Sequence, residues 1–271
     1  IMPSLVGSEM CIRDRDSIEI VQGSTDSGPY APGSGGSQIT ISLSGAVLDA
    51  STQVKEQLLD LAARHFEAHR DDVELAQGHA RVTGVPDKTI SIGKLAALGQ
   101  RTAGGPGPVV AEGRAALKAG APGFIAQLVH VRVDPDTGHV TLLRAVSIQD
   151  VGYALNPMLV EGQLHGGMAQ ALGIGLYEGQ HFEHGTLGNP NFMEYAFPTA
   201  TDIPPIDAVL VEQPSEHGPF GARIVGEPPI TAGAAALANA IKNAVGVRVT
   251  ALPVTAEAVW GLMRERGQAA D

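Results

Sequence analysis

The sequence predicts an α+β protein. Runs of strand-like alternation closed by strong turn signals alternate with helical periods. No strict strand–helix–strand rhythm joins them, so segregated helices and mixed or antiparallel strands are expected rather than a doubly wound parallel sheet. Gly (34) and Pro (18) together make roughly a fifth of the 271 residues, against about 12% in ordinary usage, so turns and close backbone approaches should be abundant.

In chain order, Ile1–Arg15 shows neither period. Val6–Arg15 resembles translated sequencing adaptor, so residues 1–15 are read as a non-native or disordered leader and excluded from the fold. Ser17–Gln22 alternates like a short strand and runs into a Gly/Ser/Pro-rich loop over Gly23–Ser37. Val47, Val54, Leu58, Leu61, Ala62 and His65 recur at helical spacing, which predicts an amphipathic helix over Ser44–Phe66. Val73–Leu75 and His79–Thr83 form a hairpin around Gln77-Gly78, followed by a short helix over Ile92–Leu98. The patternless Gly99–Gly123 stretch suits a connection between an N-terminal lobe, about 16–115, and a C-terminal lobe, about 124–271.

Phe124–Val133 and His139–Ile148 are strand-like runs joined by Asp134-Pro-Asp-Thr-Gly138, which predicts an antiparallel hairpin. Asn156-Pro157 reads as an N-cap with Pro in the first turn, opening a helix to about Ile174. Glycines 162, 166, 167, 173 and 175 interrupt it, at about 1 kcal/mol each relative to Ala. Tight helix packing and ligand contact explain them equally well. Ile206–Gln213 is a strand. Pro228-Pro229 opens a long helix over Ile230–Val245, apolar nearly all round and therefore expected to be buried. Thr255–Met263 closes the fold.

Composition removes several functions. With a net charge of −11 and no Lys/Arg run, a nucleic-acid partner is not expected. A lone Cys11 excludes an internal disulfide, a cysteine zinc site or an iron–sulfur cluster within this chain. The most apolar stretch, Pro228–Val247, carries Asn239, Lys242 and Asn243 and is too polar to span a bilayer, so a soluble cytoplasmic protein is expected. Dinucleotide, P-loop and nucleophile-elbow spacings are missing. His181-Phe-Glu-His184 is better read as an exposed turn than as a metal pair, and no residue of the chain is expected to ligate metal.

Three places carry chemistry. Gly33-Ser-Gly-Gly36-Ser37-Gln38 offers unhindered N–H groups and hydroxyls ahead of a helix, where an anion can bind, or is simply a flexible loop. Gln163, Gly166, Gly167 and Gln170 share one helical face, where a neutral amide between bare glycines can bond a planar polar cofactor edge, or be a surface amide on a packed helix. In Gly221-Ala-Arg-Ile-Val-Gly226-Glu227-Pro-Pro229 a carboxylate precedes a helix opened by proline. The helix N-terminus favours its charged, proton-accepting form, and the apolar neighbours oppose it. A capping Glu is the alternative.

Taken in order, Asp150-Val-Gly-Tyr-Ala-Leu-Asn156-Pro157, Val160-Glu-Gly-Gln163-Leu-His-Gly-Gly-Met-Ala-Gln170, Phe197-Pro-Thr-Ala-Thr-Asp202, Gly226-Glu227-Pro-Pro229, Ala240–Val245 and Leu252–Glu257 resemble one family. They are similar to the second molybdopterin-binding domain of xanthine dehydrogenase and aldehyde oxidase large subunits, over about Asp16–Met263. The resemblance implies an oxidoreductase that hydroxylates an aldehyde or N-heterocycle, a small-molecule substrate, with oxygen from water. Glu227 matches the active-site base, which would deprotonate a molybdenum-bound hydroxide. Gln163 matches the pterin-bonding glutamine, with Gly166 and Gly167 beside it. Gly36, Ser37 and Gln38 match the loop that approaches the cofactor. The implied cofactor is molybdenum–molybdopterin, as the cytosine dinucleotide if the source is bacterial.

Iron–sulfur and FAD centres are then expected on partner subunits, and the N-terminal half of the same subunit is expected upstream. This chain alone is expected to be inactive. Two flanks depart from the pattern: Gln170-Ala171 where members commonly have Gln-Gly, and Arg223-Ile224 where they commonly have Lys-Gly. The competing reading is a non-catalytic cofactor-binding or assembly module that keeps the fold.

Overall fold

The computed structural model describes residues 18–21, 23–24, 26, 28, 30, 33–101, 107–116 and 119–268. The expected leader over 1–15 lies outside them. Contacts divide the chain into two compact units, Ile1–Ala119 and Gly120–Asp271. Helices and sheets segregate within each, as an α+β protein requires.

In the first unit a 3-10 turn over Gly35–Ser37 feeds directly into helix α1 (Gln38–Phe66), so the helix begins six residues before the expected Ser44. It ends where its pattern ends, at Glu67 in the left-handed region (φ 50°), whose N–H closes on the Ala63 and Arg64 carbonyls. Strands β1 (Val73–Ala76) and β2 (His79–Val82) pair antiparallel about Gln77-Gly78, both at positive φ, as a two-residue hairpin turn needs. A third strand, β3 (Val85–Ser91), adds to β2 and was not expected. Pro86 argues against a strand, tolerated here because β3 is an edge, and the run Val85–Thr89 lacks alternation because both of its faces are exposed. Helix α2 (Ile92–Arg101) follows.

Leu58, Leu61, Ala62 and Phe66 of α1 close the core against Val73, Ala80, Val82, Ile92 and Leu95. Residues 107–116 have no regular structure and run along α1, where Gln57 Nε2 donates to the Val110 carbonyl (2.8 Å) and Asp49 accepts from the Arg114 N–H (2.9 Å). The strand expected over Ser17–Gln22 is not formed at Ile18–Val21. With no described partner strand its alternation has nothing to bury against, and Val21 is 80% exposed. Ser17 and Gln22 lie outside the described residues.

In the second unit β4 (Phe124–Val133) and β5 (Val140–Asp150) form the expected hairpin. Its turn is fixed by Asp134 Oδ1, which accepts the N–H groups of Asp136 (2.9 Å) and Thr137 (3.3 Å). Those bonds, Asp136's foremost, hold the Asp134 carboxyl below the usual range. Strand β8 (Ile206–Val211) joins β5 in parallel, giving the order β4-β5-β8. Helix α3 (Pro157–Leu176) opens on Asn156, whose Oδ1 accepts the Leu159 N–H at 3.2 Å. Asn156→Ala should therefore cost about 1 kcal/mol of stability, read as a lowered thermal midpoint.

Between them, β6 (Phe182–Glu183) and β7 (Thr186–Leu187) make a small hairpin about His184-Gly185, and both histidines face solvent. Among the described residues no cluster of His, Cys, Asp or Glu could hold a metal ion.

The long final helix is two. Helix α4 (Pro228–Thr231) stops at Ala232 (φ −106°, ψ −12°) and α5 (Gly233–Val245) restarts beyond it. The break sits where Gly233 presses on α3, so that a Cβ there would stand 2.5 Å from Ala171 Cβ and 3.3 Å from Met168 sulfur. Nor is α5 buried all round. Gly233, Leu237 and Ile241 form one inward stripe, and alanines, small enough to tolerate either environment, cover much of the remainder. Met168, Leu172, Leu237 and Ile241 form the core with Val131, Val140, Ala145, Val254 and Val259. The last of these belongs to α6 (Ala256–Gln268), which runs past the expected Met263. Among the described residues no helix is long and apolar enough to cross a membrane.

Candidate active site in the second unit

Helix α3 separates its glycines by role. Leu164, Met168 and Leu172 are fully buried, which fixes the opposite face outward. On that face Gly162, Gln163, Gly166 and Gln170 are exposed, and a Cβ on Gly162 or Gly166 would meet nothing within 4 Å. Gly167 and Gly175 serve packing instead. A Cβ on Gly167 would collide with Pro229, whose carbonyl carbon would be 3.1 Å away, and one on Gly175 would stand 2.6 Å from a Leu237 methyl. Of the two explanations for this glycine-rich helix, open approach holds for 162 and 166 and tight packing for 167 and 175.

The fold brings Gln163 to the residues before α4. Gln163 Oε1 lies 3.3 Å from where a Cβ on Gly226 would stand, which places the amide beside Gly226-Glu227, some sixty residues on in sequence. Glu227 stands at the N-cap position of α4, yet its side chain makes no capping bond there. The apolar residues expected to enclose it turn inward, with Pro228 and Pro229 buried and Glu227 itself exposed. A neutral amide, bare glycine backbone and a carboxylate therefore share one accessible surface.

What holds that surface was not foreseen. Gln149 on β5 is fully buried, and its Nε2 donates to the Ile224 carbonyl (2.9 Å) and the Val225 carbonyl (3.4 Å). Gln127 on β4 donates to the Pro229 carbonyl (2.6 Å) and to Ser147 Oγ (3.3 Å). Arg223 Nε donates to the Gln213 carbonyl (2.9 Å), Nη1 to the Pro122 carbonyl (2.9 Å), and the guanidinium pairs with Asp150 at 3.2 Å. The signal was a glutamine at strand positions 127 and 149 where alternation calls for an apolar, inward side chain.

Phe197–Asp202 is closed by its own hydrogen bonds, with Phe197 packed edge-on against Phe192. Asp202 Oδ2 accepts the Thr199 hydroxyl (2.7 Å) and N–H (2.8 Å), and those bonds hold its carboxyl below the ordinary range.

In the first unit, Gly36 (φ 69°) and Ser37 (φ 52°) both adopt the left-handed region, and a Cβ on Gly36 would meet nothing within 4 Å. Gln38 Nε2 folds back onto the Gly33 carbonyl (2.6 Å). The loop is thus shaped and open rather than featureless.

A pterin presents a planar edge of donors and acceptors, which an exposed carboxamide can match while glycine backbone lets it approach. The residues of α3 fit such a group. A family model described as molybdopterin cofactor-binding domain matches residues 2–204. The xanthine dehydrogenase molybdenum-binding subunit of Escherichia coli O157:H7 is 31% identical over 239 residues, 87% of this chain and 32% of its own. The carbon monoxide dehydrogenase large chain of Afipia carboxidovorans is 32% identical over 235 residues, 84% of this chain and 29% of its own.

The gamma subunit of the 6-hydroxypseudooxynicotine dehydrogenase complex of Paenarthrobacter nicotinovorans is 33% identical over 96% of this chain, a span that takes in Glu227, and 34% of its own. Among solved structures, reconstituted CO dehydrogenase from Oligotropha carboxidovorans superposes with a TM-score of 0.78 at 28% identity, over 94% of this chain and 32% of the other. The chain belongs to the molybdopterin-binding domain family of xanthine dehydrogenase and aldehyde oxidase. It spans about a third of the length of the curated relatives it matches.

Proposed function

We infer that this chain is the C-terminal part of a molybdenum hydroxylase large subunit, with Glu227 as general base and Gln163 as the amide that orients the pterin. The observation that carries the reading is Gln163 Oε1 standing beside Gly226-Glu227 on an exposed face of bare glycines. When bound, the molybdenum–molybdopterin group supplies the two-electron redox chemistry. The chain's own work is to bind and to move a proton. Gly162 and Gly166 leave room for a flat ligand, Gln163 gives it one orientation, and the Glu227 carboxylate accepts a proton. Gly166 and Gly167 set how closely the ligand and α4 approach α3. Gly36, Ser37 and Gln38 form the second cofactor-contacting loop.

The domain is read as two lobes, about 16–115 and 124–271, following a leader over 1–15. The substrate is an aldehyde or an N-heterocycle. Electrons leave through iron–sulfur and FAD partner subunits, the cofactor is the cytosine dinucleotide form if the source is bacterial, and the compartment is the cytoplasm. The upstream half of the subunit completes the site.

Molybdenum content of the purified full-length protein, expressed with its partner subunits in a host that makes the cofactor, tests the reading. About one metal per large subunit is the expected result if one such cofactor is bound. No metal would leave the fold without its chemistry and turn the assignment to a non-catalytic assembly module.

A further inference from the structure

We propose that Gln149 and Gln127 are positioning residues, two amides that reach up from the sheet and fix the backbone on either side of Glu227. The claim rests on Glu227 being the base. Gln149 grips the carbonyls of Ile224 and Val225, three and two residues before Glu227, and Gln127 grips the carbonyl of Pro229, two residues after it. The strand register makes them a pair. Gln127 stands opposite Ser147, and Ser147 and Gln149 are two apart on β5, so both amides project from the same, inward face of the sheet.

Stability does not explain them. Each amide donates through Nε2, while its Oε1 is buried and has no hydrogen-bond partner among the described residues. A buried acceptor left unpaired is a cost; an apolar side chain of the same length would remove it but leave the gripped carbonyls without their donor, so the two effects largely offset. Other residues at these positions could fill the sheet face at least as well, but only a donor can hold the three carbonyls. The arrangement leaves one acceptor of each amide unmet while fixing the backbone at residues 224–229, in the way unmet polarity gathers at functional sites.

The test uses the full-length enzyme with its cofactor. Gln149→Met keeps length and removes the donors. Its thermal midpoint should move by no more than about 4 °C. Amide hydrogen exchange across residues 222–230 should run about tenfold faster or more, reporting local opening independently of turnover. With cofactor content unchanged, kcat should fall about tenfold or more at constant KM, as displacement of a catalytic group does.

Unchanged exchange overturns the proposal, and so does faster exchange with kcat intact. If Gln149→Met does not fold, Gln127→Met carries the same three expectations through the Pro229 carbonyl. Glu227→Gln run in parallel separates the two readings. Should that variant keep its turnover, the base assignment fails and the positioning claim falls with it, while the exchange result still reports whether the amides hold the loop.

Discussion

Glu227→Gln in the full-length enzyme is expected to abolish turnover, lowering kcat by about 10²- to 10⁴-fold, the range general-base catalysis supplies. The substitution keeps the shape and removes the charged, proton-accepting carboxylate. Glutamine has the size and reach of glutamate, and the site is exposed, so packing of Pro228 and Pro229 beneath it should not be disturbed. What is lost is the ability to take up a proton. Metal content and the thermal midpoint should therefore match the parent while kcat collapses, measured with an artificial electron acceptor. Turnover retained within about tenfold would remove Glu227 from the mechanism.

How far such a residue can be found without a structure depends on how local its signal is. Asn156-Pro157 announced α3 to the residue because a cap and a first-turn proline are decided by neighbouring atoms. Gln77-Gly78 and Asp134–Gly138 announced their turns for the same reason. The break at Ala232 was invisible, since it depends on Ala171 and Met168 of another helix pressing on Gly233. Strand β3 was invisible because both of its faces are exposed over Val85–Thr89, so it shows no alternation. The strand expected over Ser17–Gln22 failed at Ile18–Val21 from the opposite side, with alternation present and no described strand to pair with.

The candidate site divides likewise. Glu227, Gln163 and the Gly36–Gln38 loop could be nominated from local chemistry and sharpened by the family pattern, whereas the nearness of Gln163 to Gly226 belongs to the fold. The residues that hold Glu227 were missed. Gln149 acts across 75 residues and Gln127 across 102, and no window of sequence connects an inward glutamine with a carbonyl that distant.

Arg223 stands where the family pattern commonly has lysine, and its surroundings show what the guanidinium adds. It is 17% exposed and Asp150 14%, so the pair is shielded from the screening that makes surface ion pairs worth little. The guanidinium's Nε donates to the Gln213 carbonyl with Asp150 beside it, and Nη1 donates to the Pro122 carbonyl, tying the segment before Glu227 to other stretches of chain. Arg223→Met removes all three and leaves a shielded carboxylate without its cation. Asp150 keeps the N–H groups of Gly152 (3.0 Å) and Gln213 (3.2 Å), which offsets part of the loss.

The expected cost is therefore about 3 kcal/mol, the low end for breaking a buried pair. In a unit of this size it lowers the thermal midpoint by roughly 10 °C. Arg223→Lys should recover the charge but not the fork and fall between the two, since an ammonium is a point donor. Arg223→Met combined with Asp150→Asn should regain part of the loss, because the stranded charge is then gone. A midpoint lowered by less than about 2 °C in Arg223→Met would mean that the pair behaves as an exposed one, and that the loop is held by the sheet amides alone.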